Sequence, residues 1–142
     1  MATAEVEAVL ISLPAPLREE AKQLPVTLER IPNAQLLEEG IEADTLGLFT
    51  GAEFAEQGYI PMPSQIILFL ENLWNYAESD ENAFREEIRT TFLHELGHFF
   101  GLEEEDLLER GLEWAFLLGF LRILYTKKFL KKCLRELRCL IN

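Results

Sequence analysis

His94, Glu95 and His98 are the residues of this chain whose types and spacing most directly suggest chemistry. They lie in the segment from Thr90 to Gly111, TTFLHELGHFFGLEEEDLLERG, and the two histidines are the only ones among 142 residues. On an α-helix, positions four apart lie one turn apart on the same face, so both imidazoles can reach one ion. Neutral imidazole is a usual ligand for zinc, in a tetrahedral site that keeps one position open for water. Glu95 is rotated about 100° from His94 around a helix. It can therefore stand beside the ion and take a proton from bound water instead of ligating. A third protein ligand is still required. Gly101 lets the backbone leave the helix, and Glu103, Glu104, Glu105 and Asp106 follow it. The spacing H-E-x-x-H-x-x-G-x-x places the third ligand at Glu104, with Asp106 as the alternative. Most of this acidic run also reads as solvated residues at the start of a further helix. A bare H-E-x-x-H arises by chance as well. Here it sits on a helix whose other face is apolar at Phe84, Ile88, Phe92 and Leu96.

The elements that must position these residues follow from the pattern before them. AEVEAVLIS (4–12) has helical spacing, with Val6, Val9 and Leu10 on one face. Pro14 and Pro16 break it, and Pro16 can start a second short helix. VTLERI (26–31) alternates apolar and polar, as a half-buried strand does. Residues 31–45 read as loop with a single helical turn. LGLFTG (46–51) reads as a second strand, 52–63 as loop, and QIILFLENL (65–73) as a buried strand. A long helix is expected from Ser79 or Asp80 to a stop at Gly101, with acidic residues in its first turn. A further helix is expected to end near Gly111. The order of helix, strands, long helix and helix is an α+β layout.

Charge divides the chain. The net charge is −12, yet residues 1–121 hold 24 acidic and 6 basic side chains, while residues 122–142 hold one and seven. The acidic body excludes a general nucleic-acid binder, which needs a basic face. The first residues lack the basic and apolar regions of a secretory signal. No apolar run reaches the length of a membrane span. Cys133 and Cys139 do not form a disulfide framework. A reducing cytoplasm is the expected location. Residues 1–113 are expected to form one domain and residues 114–142 a helical extension, apolar first and then basic and amphipathic. Lys128, Lys131, Lys132, Arg135 and Arg138 would share one face of it, and Leu130, Cys133, Leu134, Leu137 and Ile141 the other. The extension would pack on the body or a second copy, contact a membrane surface, or bind a partner helix.

The segment FREEIRTTFLHELGHFFGLEEEDLLERG resembles the core of the minimal zincins, small zincin-like metallopeptidases with the pattern R-x-T-x-x-H-E-x-x-H-x-x-G-x-x-[DE]. Arg89, Thr91, His94, Glu95, His98, Gly101 and Glu104 match it, and the likeness covers about residues 1–114. It implies a mixed sheet of three or four strands packed on a long active-site helix. It also implies one zinc ion held by His94, His98 and an acidic residue at 104, which is often Asp in the family and is Glu here. In larger zincins an edge strand lines the cleft, and Ile66–Leu70 is the candidate for it. The expected function is a zinc metallopeptidase that hydrolyses a peptide or small protein through a zinc-bound water activated by Glu95. The alternative is a non-catalytic zinc-binding structural or interaction module.

Overall fold

The computed structural model describes residues 1–53 and 63–103. The expected third ligand Glu104, its alternative Asp106, the helix toward Gly111 and the whole extension from residue 114 lie outside the described residues. The described chain is a small α+β fold, in the order α1 (Ala2–Ser12), α2 (Ala15–Ala21), β1 (Val26–Glu29), α3 (Ala34–Glu38), β2 (Gly47–Thr50), β3 (Gln65–Phe69), α4 (Leu70–Tyr76) and α5 (Glu81–Phe99). No helix among the described residues is long and apolar enough to cross a membrane.

Local chemistry explains most of these boundaries. Pro14 caps α2, and Pro16 sits in its first turn, where a missing N–H costs nothing. The Asn33 side chain accepts the Leu36 N–H at 2.9 Å and starts α3. Asp80 does the same for α5, accepting the Ala83 N–H at 2.8 Å. The helix ends as the sequence predicts. Gly101 is left-handed at φ +78°, its N–H bonds to His98 C=O at 2.9 Å, and Leu102 N–H bonds to Gly97 C=O at 3.0 Å. This pair of bonds is the Schellman arrangement that closes a helix C-terminus.

The three strands form a mixed sheet in the order β1-β3-β2. β1 runs parallel to β3, pairing Val26 with Ile66 and Leu28 with Leu68. β2 runs antiparallel to β3, pairing Gly47 with Leu68 and Phe49 with Ile66. Two expectations are corrected here. Ile66–Leu70 is not an edge strand, because β3 lies between the other two and its residues Ile66, Ile67, Leu68 and Phe69 are all buried. The strand beside α5 with an outer edge is β2, which pairs with no second strand among the described residues. The strand expected over 65–73 also stops at Phe69. From there Leu70, Leu73 and Ala77 recur at helical spacing and pack into the core, so the chain turns directly into α4.

Helix α5 packs across β2 and β3 and also against α1 and α4. Its apolar side, Phe84, Ile88, Phe92, Leu96 and Phe99, is buried against Ile66 and Leu68 of β3 and Val6 and Val9 of α1. The α1–α5 contact also holds a charge cluster. Glu5 is only 4 % exposed. Its carboxylate accepts from Arg85 at 2.8 Å and from the Arg89 guanidinium. Burial pushes the Glu5 carboxyl up, but the two guanidiniums more than offset this and leave it below the ordinary carboxylate range. A depressed folded value means that this stabilisation is complete above the unfolded value, about 4.3. It is lost as pH falls through the folded value. Urea unfolding across a pH series is expected to show it. Glu5→Gln lowers stability at pH 7, and stability then falls less steeply than in the parent below about pH 4. Parallel curves for the two proteins would remove Glu5 from the acid transition.

Candidate functional site

The site is built where α5 crosses β2. His94, Glu95 and His98 lie in the second half of α5, on the turns above the glycine stop. The two imidazole rings stand edge to face with centroids 4.8 Å apart. Their Nε2 atoms face each other at 3.1 Å. His98 Nδ1 lies 3.0 Å from Leu102 C=O. That carbonyl can only accept, so His98 donates from Nδ1, the tautomer that in the neutral ring leaves the Nε2 lone pair for a metal. The turn at Gly101 makes this bond possible, because it folds Leu102 back over the last helical turn. A carbonyl that orients a histidine in this way is the usual outer support of a metal-ligating imidazole.

Two nitrogens bound to one tetrahedral zinc at about 2.0–2.1 Å would stand about 3.3–3.4 Å apart. The observed 3.1 Å is within a few tenths of an ångström of that span. The two imidazoles therefore fit two corners of a zinc site. Among the described residues no third His, Cys, Asp or Glu completes a cluster with them. The expected third ligand at 104 lies just past the last described residue.

Glu95 is held differently. It is 8 % exposed, and its Oε2 accepts the Phe49 backbone N–H at 2.8 Å. The sheet register explains why that N–H is available. Leu46 C=O accepts the Phe69 N–H at 2.9 Å, so residue 46, and by alternation 48 and 50, exchange bonds with β3. Gly47 and Phe49 therefore point their backbone groups outward, toward the edge. The Phe49 ring meets Phe99 edge to face at 5.9 Å, which ties the strand to the end of the helix.

The approach of β2 to α5 requires Gly47. A Cβ there would lie 2.5 Å from Thr91 Cγ2 and 3.2 Å from Glu95 Cγ. Thr91 is buried, and its Oγ1 has no hydrogen-bond partner. Its methyl fills the gap under the strand. Arg89 pairs with Glu5, on the contact with α1. Two residues of the motif pattern, Arg89 and Thr91, thus serve to seat the helix, and His94 and Glu95 line the cavity beside it.

A cavity of about 630 Å³ opens beside His94 and Glu95. Its walls come from the loop before β2, the C-terminal half of α4 and one side of α5. Apart from His94 and Glu95, these walls carry no mark of a site in the sequence. Residues 31–45 read as loop, and nothing there marks Glu42 and Asp44 as neighbours of a histidine fifty positions later. Phe49 contributes only a backbone N–H. The glycine inside the second strand was the one available signal, since glycine within a strand often marks a close backbone approach.

Residues 21–114, about two thirds of the chain, match the family described as zincin-like metallopeptidase. A search of the curated proteins finds no match.

Proposed function

From the premise that this chain belongs to the zincin-like metallopeptidases, we propose that it is a zinc-dependent peptidase in which His94 and His98 hold one ion and Glu95 is the general base. The observation that carries this reading is the pairing of two convergent imidazole nitrogens with a carboxylate fixed one residue away by an edge-strand N–H. Glu104 is proposed as the third ligand, from its spacing alone.

Zinc bound there supplies a Lewis acid that polarises the scissile carbonyl and makes water more acidic. The protein's own residues do the rest. His98 is locked by Leu102 C=O with its Nε2 lone pair presented. Glu95 takes the proton of the attacking water and returns it to the departing amine. Its bond to Phe49 uses one oxygen and orients the other, and a carboxylate has lone pairs enough for both tasks. The outward backbone groups of Gly47 and the Phe49 C=O offer an edge along which an extended peptide can pair, while the Phe49 N–H is held by Glu95. Partial burial of Glu95 keeps bulk water from competing for the base.

The alternative, a zinc-stabilised interaction module, is favoured by one fact. The Glu95–Phe49 bond would pin β2 to α5 whether or not chemistry follows. Metal content separates the site from the rest of the fold. By elemental analysis of purified protein, the parent is expected to hold one zinc per chain, and His94→Ala or His98→Ala to lose most of it. Unchanged zinc in both variants would sink the ligand assignment. Stoichiometric zinc with no cleavage across a diverse peptide library would favour the module.

A further inference from the structure

The cavity beside the candidate catalytic pair has a chemical character of its own. Glu42 and Asp44 stand at its rim, both exposed. Neither takes part in an ion pair among the described residues. Their loop is not left to wander. Asn72 Nδ2, from α4, donates to Ala43 C=O and to Thr45 C=O, each at 2.8 Å. These two bonds hold the backbone on both sides of Asp44 beside the cavity. Tyr76, from the end of α4, also lines the cavity, and Thr91 and Glu95 line it from α5. The Thr91 hydroxyl, in a residue only 4 % exposed, bonds to nothing. The cavity therefore offers room for a side chain beside His94 and Glu95, with a mainly apolar wall and two carboxylates at its rim.

We propose that this cavity is a subsite for a cationic side chain, lysine or arginine, of the peptide substrate next to the scissile bond. The inference rests on the peptidase reading and adds the substrate class to it. The apolar stem of a lysine or arginine can lie along the cavity wall, while its charged end reaches back to the two carboxylates at the rim. Tyr76 adds an aromatic wall, against which a cation is also favoured. An acidic residue at the same peptide position would face like charge and be rejected. The preference is electrostatic and sits near solvent, so it weakens with added salt.

The test uses the full-length, zinc-loaded protein and matched fluorogenic peptides that differ only in Lys, Leu or Glu beside the cleaved bond. The lysine peptide is expected to have the highest kcat/KM and the glutamate peptide the lowest. In Glu42→Gln/Asp44→Asn the ratio of lysine to glutamate peptide should fall about fivefold to tenfold, as for two exposed charge pairs. A flat ranking in the parent, or a ranking that the double variant keeps, overturns the subsite. If no peptide is cleaved, the peptidase reading fails, and the subsite is read by equilibrium binding of the same peptides. Tighter lysine-peptide binding that is lost in the double variant upholds the subsite, and equal binding of all three overturns it.

Discussion

Replacing Glu95 by glutamine is expected to lower kcat for peptide hydrolysis by about 10²–10⁴-fold, the range typical of a lost general base, while zinc stays at one per chain. The substitution is chosen for what it leaves alone. Glutamine has the size of glutamate, and its amide oxygen can still accept the Phe49 N–H that Glu95 Oε2 accepts at 2.8 Å. The strand therefore stays pinned to the helix, and the unfolding curve should not move. The imidazoles of His94 and His98 are untouched. What disappears is the ability to take a proton from water. Steady-state cleavage and elemental analysis on one preparation read both quantities. A variant within about threefold of the parent in kcat would show that Glu95 only holds β2 in place. A variant that also loses zinc would make Glu95 part of the metal site.

The second large effect is expected at Gly47. In Gly47→Ala the new Cβ would fall 2.5 Å from Thr91 Cγ2 and 3.2 Å from Glu95 Cγ. Both obstacles belong to side chains rooted in a buried helix, so they cannot swing away into solvent. Overpacking of this kind typically costs about 1–3 kcal/mol. The strand must move off α5, and the Phe49 N–H moves with it, away from Glu95. A displacement near 1 Å at a catalytic group can cost about 10²-fold in rate, so kcat should drop along with stability. Thr91→Ala supplies the control. It removes the methyl that the new Cβ would strike, and it removes a hydroxyl that has no partner to lose. The double variant is therefore expected to be more stable than the sum of the single effects predicts, by about 0.5–2 kcal/mol. Simple additivity in urea unfolding would mean that Gly47 is not in contact with Thr91.

The sequence made α5 legible because three independent signals agree there. Apolar residues recur at helical spacing, Asp80 caps one end and Gly101 closes the other. The histidine pair and Glu95 inherit that clarity, since their relation is fixed by helix geometry alone. The sheet was harder to read. The resemblance offers Ile66–Leu70 as the cleft strand, and its apolar run says only that a strand is buried, not which neighbours it has. Its central position follows from pairing with β1, some forty residues earlier. The strand that does flank the helix, Gly47–Thr50, is short, and its contribution to Glu95 is a main-chain N–H with no side-chain signature. The turn from strand to helix at Leu70 was hidden for a related reason. Leu70 continues the apolar run of β3, and only the spacing to Leu73 and Ala77 marks the change of period. The acidic rim at Glu42 and Asp44 lay in a stretch read as loop, and charge in a loop usually means no more than contact with water.

The bond from His98 to Leu102 carries a wider consequence. The two histidines, the glycine turn and the carbonyl that sets the imidazole tautomer all fall within nine consecutive residues. That half of the site is portable in principle: a helix end transplanted into another scaffold would bring its ligand corner with it. The base is not portable. Its orientation depends on a backbone amide forty-six positions away, and on a strand that lies close only because residue 47 has no side chain. Grafting this motif onto another protein would transfer a place for an ion, and the alignment of the carboxylate would have to be built again from the new scaffold's own sheet.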